Sequence, residues 1–255
     1  MHSSHLGFSQ VIFTDFYSEV YDQIHSNKDY DFEALQISGI IEDLKISKNS
    51  LILDFGCGTG KHLLRLNARG YNVVGYDINK NMLLKAKSRN TASTFYSNYH
   101  EIPKAHTLCY SLFDVLSYQI YDEGIDNFLA EVCGTILEPG WILLDGWHLP
   151  GLLKDPPTSR NKTFEHMNEN FRREVLVCTQ NNFKVTELNI SISSLNDNSV
   201  ILQETHLLRA FEPHEIASKI RNFGGSDIIF FDGANYSKNL DETSWRFAVL
   251  FKLSK

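Results

Sequence analysis

Residues 51–60 read Leu51-Ile-Leu-Asp54-Phe-Gly56-Cys57-Gly58-Thr59-Gly60, and a second apolar run, Tyr71-Asn-Val-Val-Gly-Tyr-Asp77, closes on an acid. A short apolar run bounded by glycines reads as a buried strand entering a tight turn. Glycine tolerates positive φ and leaves bare peptide for a ligand to lie against. Asp77 falls 17 residues after Gly60, near the ~20 expected for a carboxylate that holds a ribose. Strand, turn, helix and acid together point to a nucleoside site at the mouth of a parallel sheet.

The turn departs from the phosphate-binding forms. Lys61 stands where the dinucleotide fingerprint wants its third glycine, and no Gly-Lys-Ser/Thr follows at Walker spacing. Asp54 opens the turn with a negative charge, which suits a cationic or amino-bearing ligand better than a phosphate.

Asp54-Phe-Gly56-Cys57-Gly58-Thr-Gly60 with Gly75-Tyr-Asp77-Ile78 resembles the cofactor site of class I S-adenosylmethionine-dependent methyltransferases. The resemblance implies that Asp77 holds both ribose hydroxyls. Gly56, Cys57 and Gly58 would flank the methionine part, with Ile78 and Met82 near the adenine. Many relatives carry Gly-Asp before the fourth strand, where the acid receives the adenine amine. Here the stretch is Ser97-Asn98-Tyr99, and the Asn98 carbonyl is the remaining acceptor.

The implied fold is α/β: a Rossmann-like seven-stranded methyltransferase sheet with an antiparallel last strand, helices on both faces, and a small antiparallel β insertion as a lid. Strands are expected at 51–55, 72–76, 107–113 and 141–147, with helices at 60–69, 79–89 and 122–138. The division is a helical lid over 1–48, a cofactor-binding core over 49–148, an insertion over 149–211, and the last helix and strands over 212–255. In the first stretch, Phe13, Phe16, Tyr17, Val20, Tyr21 and Ile24 recur at helical spacing, and a second helix carries Leu35, Ile37, Ile40, Ile41 and Leu44. Residues 164–178, 182–194 and 200–211 alternate as strands, with a turn at Asn181-Asn182.

Tyr21-Asp-Gln-Ile-His-Ser-Asn-Lys-Asp-Tyr30 resembles a segment of the sugar N-methyltransferases that act on nucleotide-linked amino sugars. There such tyrosines border the methionine moiety and the acceptor, which puts Tyr21 and Tyr30 in the site. Ser111-Leu112-Phe113-Asp-Val-Leu-Ser-Tyr118 and Asp145-Gly-Trp147-His148-Leu-Pro resemble that group's acceptor segments. Leu112 is then a cofactor contact, while Phe113, Tyr118, Trp147, His148 and Arg209 face the acceptor. Tyr118, His148 and Tyr21 are the candidate catalytic groups. His206 and Arg209 lie on one strand, three residues apart, so at most one of them faces the site.

The remaining composition agrees. The chain has 255 residues, 42% hydrophobic and 22% charged, with a net charge of −7. That charge argues against a nucleic-acid or anionic-membrane surface. Four cysteines without Cys-x-x-Cys spacing read as free thiols in the cytoplasm, and ten histidines without ligand spacing argue against a metal. No membrane span or signal pattern is read. A homodimer is allowed by the sequence.

The expected activity is methyl transfer from S-adenosyl-L-methionine to a small-molecule substrate. The resemblance favours an amine of an amino sugar or related metabolite. Methylation of a hydroxyl, or use of the cofactor itself as substrate, are the alternatives.

Overall fold

The computed structural model describes residues 12–180 and 183–254. Two helices come first, α1 (Asp15–Ile24) and α2 (Tyr30–Asp43). The alternating core follows: β1 (Leu51–Phe55), α3 (Lys61–Ala68), β2 (Asn72–Tyr76), α4 (Lys80–Arg89), β3 (Phe95–Tyr96), β4 (His106–Ser111), α5 (Asp122–Gly134) and β5 (Ile136–His148). A short α6 (Leu149–Lys154) leads into β6 (Arg160–His166), β7 (Glu169–Gln180), β8 (Val185–Ser194) and β9 (Val200–Phe211). The chain finishes with α7 (Pro213–Asn222), β10 (Gly225–Asp232), β11 (Asn235–Asn239) and β12 (Arg246–Leu253).

The core strands lie in the order β3-β2-β1-β4-β5-β12-β10, parallel up to β5, with β12 antiparallel to β5 and β10 antiparallel to β12. This is the expected seven-stranded sheet. Its central strands are buried on both faces because alternate side chains feed two separate cores, while the edge strands β3 and β10 are partly exposed. Leu53 and Phe55 meet Phe128, Leu129 and Val132 of α5 on one side. Ile52 and Val73 meet Ile37 and Ile41 of α2 and Leu63 and Leu66 of α3 on the other.

The insertion is a four-stranded antiparallel sheet, β6-β7-β8-β9. It is continuous with the core: β4 pairs with β5 as far as Leu144, and β9 takes over the same edge at Trp147 and His148. Tyr17, Val20 and Ile24 of α1 pack on Phe164, Phe171, Val175 and Ile190 of the insertion. The N-terminal helix is thereby clamped between insertion and core.

Several boundaries differ from expectation. The stretch 164–178 is not one strand. Met167 and Asn168 both adopt left-handed φ, 50° and 63°, and make a two-residue hairpin between β6 and β7; only Asn168 favours that conformation. The helix expected over 122–138 stops at Gly134, because residues ahead of Pro139 are extended and Ile136 already pairs with His106. The expected turn at Asn181-Asn182 lies outside the described residues. Among the described residues no helix is long and apolar enough to cross a membrane.

Two glycines make opposite predictions. A Cβ on Gly151 would lie 2.0 Å from the Ser244 carbonyl oxygen, whereas one on Gly39 of α2 would meet nothing within 4 Å. Gly151→Ala should lower stability by about 1–3 kcal/mol or more, through displacement of α6 from the start of β12. Gly39→Ala should raise it by about 0.5–1 kcal/mol. Urea unfolding of the two variants checks both signs.

Candidate active site

The site starts at the end of β1. Gly56, Gly58 and Gly60 take φ of 83°, 53° and 74°, so the chain reverses sharply before α3. The Gly56 and Cys57 amides both donate to the Tyr76 carbonyl, at 2.7 and 2.8 Å, which locks the turn to β2. Asp77 completes the lock. Its Oδ2 accepts the Gly58 amide at 2.7 Å, and its Oδ1 accepts the Asn79 amide at 2.8 Å. Burial pushes its carboxyl up, and these two amides partly offset that. The Asn79 side chain in turn caps α4 by accepting from Asn81 and Met82.

A cavity of about 580 Å³ opens over this turn. Gly56–Thr59, Asp77, Ile78 and Met82 form one wall, Phe128 and Glu131 another, and Phe13, Tyr21 and Tyr30 a third. Leu112, Phe113 and Tyr118 line it as well. A Cβ on Gly56 would come within 2.8 Å of Val115, while one on Gly58 would meet open space. The cavity therefore presents bare peptide beside a carboxylate.

Beneath the turn, Asp54 is 3% exposed and its Oδ2 has no hydrogen-bond partner. Burial pushes its carboxyl up to about 8. Burial also raises the Cys57 thiol well above its ordinary range, which keeps it protonated and removes it as a nucleophile.

The N-terminal wall is fastened at several points. Asn79 donates to the Phe13 carbonyl at 2.7 Å. Asp22 of α1 accepts from Thr59 of the glycine turn at 2.9 Å and pairs with Lys61 at 3.3 Å and with Arg89. Burial alone would raise the Asp22 carboxyl, but the Arg89 and Thr59 hydrogen bonds outweigh it and lower it.

At the other end of the cavity, the loop after β4 is bent by a second carboxylate. Asp145 accepts the amides of Phe113 and Asp114, each at 2.8 Å, and both residues take a left-handed φ of 69°. Arg246 pairs with Asp114 at 2.8 Å. The loop delivers Tyr118, whose hydroxyl lies 2.8 Å from Nδ1 of His206. His206 Nε2 lies 2.9 Å from Glu204. Glu204 also accepts the Phe13 amide at 2.9 Å and the Thr14 amide at 2.8 Å.

Eleven residues expected from the sequence line this one cavity: Tyr21, Tyr30, Gly56, Cys57, Gly58, Asp77, Ile78, Met82, Leu112, Phe113 and Tyr118. The others lie elsewhere. Asp54 sits under the turn rather than on the wall. Asn98 is exposed and spends its Oδ1 capping the short turn at Tyr99–Glu101, by accepting the His100 amide. Trp147 stacks edge-on against Trp245 and faces a separate cavity of about 210 Å³ that Arg160 also lines. His148 is buried, and its Nδ1 lies 2.8 Å from the Ser244 carbonyl. Arg209 donates to Asp122 at 2.7 Å and lies over Phe211. A strand separates residues three apart onto opposite faces, so His206 reaches Tyr118 and Arg209 cannot.

Asn79 and Glu204 were not singled out from sequence. Phe13 reads from sequence as a helix position, whereas α1 begins at Asp15 and Phe13 takes a left-handed φ of 54° ahead of it. Glu204 stands two residues from His206 on the same strand face, which is the one signal that marks it. Among the described residues, no group of three or more His, Cys, Asp or Glu could hold a metal.

Residues 52–140 match the family of methyltransferase domains. Two curated relatives are a dTDP-3-amino-3,6-dideoxy-α-D-glucopyranose N,N-dimethyltransferase of Streptomyces fradiae and a malonyl-[acyl-carrier protein] O-methyltransferase of Buchnera aphidicola. The first is 24% identical over 58% of this chain and 60% of its own. The second is 28% identical over 61% and 62%. The matched segments thus span about three-fifths of these relatives' lengths. The sugar N-methyltransferase KedS8 of a Streptoalloteichus species superposes with a TM-score of 0.76 at 15% identity, over 92% of this chain and 93% of its own. An S-adenosylmethionine-dependent methyltransferase of Clostridium acetobutylicum superposes with a TM-score of 0.74 at 16% identity, over 94% and 99%. The chain has the fold of these methyltransferases, and residues 52–140 are the stretch that matches the methyltransferase-domain family.

The raised Asp54 carboxyl has a signed consequence. An unfolded aspartate ionises near 3.9, while the folded one holds its proton to about 8. Across that window the native state binds more protons, so its stability falls as pH rises. Asp54→Asn should remove that slope. Melting temperatures at pH 5 and pH 9 should show the wild type losing ground to the variant; parallel curves would contradict the burial argument.

Proposed function

We propose that this chain is an S-adenosylmethionine-dependent methyltransferase that methylates an amine of a small molecule, with an amino sugar on a phosphate-bearing carrier as the acceptor class. The observation that carries the reading is one cavity lined by both an acid-closed glycine turn and Tyr118. Its volume falls in the range of small-molecule sites.

The residues fit the cofactor. Each Asp77 oxygen accepts one amide and keeps a lone pair for a ribose hydroxyl. The peptide at Gly56 and Gly58 admits the methionine part without a side chain in the way, and Ile78 and Met82 offer apolar surface to the adenine. Bound S-adenosylmethionine supplies an activated methyl group and leaves as a neutral thioether. Transfer then asks the protein mainly for alignment, worth up to ~7–11 kcal/mol when a nucleophile is held in near-attack geometry. Tyr30, Phe13 and Tyr21 wall the site and exclude water. An amine must shed a proton, and Tyr118 is the polar group placed to receive it.

Charge supports the phosphate-bearing carrier. Arg173 is buried, its Nε has no partner, and its Nη2 donates to the neutral Tyr17 hydroxyl at 3.2 Å. Arg160 has no ion pair among the described residues. Arg160 is exposed as a whole residue, and partial desolvation together with the nearby Arg173 and Arg246 charges lowers its affinity for a proton. Burial, with the Arg173, Lys28, Lys162 and Arg160 charges, holds His25, beside Tyr21 and Phe113, down to about 3. Neither Arg173 nor Arg160 lines the cavity over the glycine turn, but Arg160 lines the separate cavity of about 210 Å³, and an unpaired guanidinium group there, in a chain of net charge −7, suits an anionic part of the acceptor. The Streptomyces fradiae relative acts on a sugar carried on dTDP, which has this chemistry.

Asp77→Ala should weaken S-adenosylmethionine binding about tenfold or more, because hydrogen bonds to a charged group contribute ~1.5–3 kcal/mol. Calorimetry with unchanged affinity would contradict the assignment. Mass spectrometry of wild type with the cofactor and a panel of amino sugars should find methylation of the nucleotide-linked members and not of the free sugars. Conversion of the cofactor without any acceptor would contradict the reaction.

A further inference from the structure

We infer that Tyr118, His206 and Glu204 form a proton-accepting relay for the acceptor amine, and that seating of the N-terminal segment at Phe13 and Thr14 completes it. The inference rests on the preceding reading only in taking the acceptor to Tyr118. The relay itself stands on hydrogen-bond directions.

Glu204 is the fixed end. Its side chain is buried, and four donors converge on it: His206 Nε2, the Phe13 amide, the Thr14 amide and the Thr14 hydroxyl. Burial would raise this carboxyl, but the donors outweigh it and hold it below its ordinary range. An ionised carboxylate only accepts, so His206 Nε2 must carry a hydrogen. In the neutral ring Nδ1 is then a bare acceptor, and the hydrogen on the 2.8 Å contact belongs to Tyr118. Tyr118 donates inward. Its oxygen meets whatever enters the cavity only as an acceptor, and it therefore selects an N–H or O–H donor.

The step balances. As the amine nitrogen forms its bond to the methyl carbon, the carbon–sulfur bond breaks with its electron pair on sulfur. One N–H proton passes to Tyr118 Oη while the phenol proton passes to His206 Nδ1. The imidazolium so formed lies against the Glu204 carboxylate, and its proton returns to solvent after product leaves. Burial pushes the Tyr118 phenol well above its ordinary range, with Tyr17, Asp114, Glu204 and Arg173 also facing it, so Tyr118 passes a proton on rather than resting as phenolate. His206 and Glu204 are positioning residues. The same carboxylate that fixes the imidazole also receives both lid amides, so an open lid leaves the relay incompletely held.

Nitrogen-15 NMR of the histidine rings in the full chain at pH 7.5 reads the relay directly, with the His206 signals assigned by their loss in His206→Asn. The expected spectrum shows a neutral ring, protonated at Nε2, with Nδ1 bearing the signature of a hydrogen-bond acceptor. Tyr118→Phe should keep that tautomer and shift Nδ1 toward the value of an unbonded nitrogen. Glu204→Gln should give a mixture of tautomers. A hydrogen on Nδ1 in the wild type, whether as the other tautomer or as imidazolium, would overturn the relay. So would an Nδ1 signal that Tyr118→Phe leaves unmoved, or a single Nε2–H tautomer in Glu204→Gln. Failure of cofactor binding in calorimetry would sink the preceding reading and leave this spectrum as it stands.

Discussion

The site depends on one carboxylate. Asp77 ends β2 and accepts an amide from each side, Gly58 of the turn after β1 and Asn79 at the start of α4. The turn cannot take its left-handed path without a partner for that amide, and α4 cannot begin where it does without Asn79 in place. The two strands whose ends define the cavity are therefore tied together before any ligand arrives. Keeping this half-buried carboxylate desolvated at the cavity wall is costly, which its raised proton affinity reports. A fold that retains such a group has usually done so for a ligand.

The second half of the site is borrowed from outside the core. Insertion and α1 share an apolar cluster, and α1 reaches the glycine turn through Asp22 and Thr59. Each core-sized side chain in that cluster contributes roughly 1.5–3 kcal/mol on burial, so α1 is held mainly by packing and aimed by a few hydrogen bonds. Glu204 lies where these layers meet. It stands on the insertion, it holds the N-terminal backbone, and through His206 it orients the hydroxyl of a residue from the core. Core and N-terminal residues line the cavity, and the insertion reaches it through Glu204 and His206 behind Tyr118.

The core was legible because its signals are local. Glycine spacing, the acid after β2 and period-matched apolar residues identify the sheet, the turn and the cavity's first wall from residues 51–82. What escaped were features set by distant contacts. The β6–β7 hairpin rests on left-handed Met167 and Asn168, and methionine is no turn signal. Trp147 and His148 sit at a strand end that points toward the ligand side, yet Trp245 and the Ser244 carbonyl engage them from β12 and its approach, about a hundred residues later in the chain. Asn98 has the right chemistry to receive an amine and uses it on its own backbone, as asparagine commonly does in turns. Glu204 and His206 share a strand face, but only the folded chain shows that Tyr118 and the N-terminal segment close on them.

The most direct test is a crystal structure of the protein with S-adenosylhomocysteine. The account predicts the ribose on Asp77, the amino-acid portion against the Gly56–Gly58 peptide, and the sulfur on the side of the cavity that Tyr118 lines. A ligand bound away from Asp77, or a cavity filled with its sulfur turned from Tyr118, would contradict it.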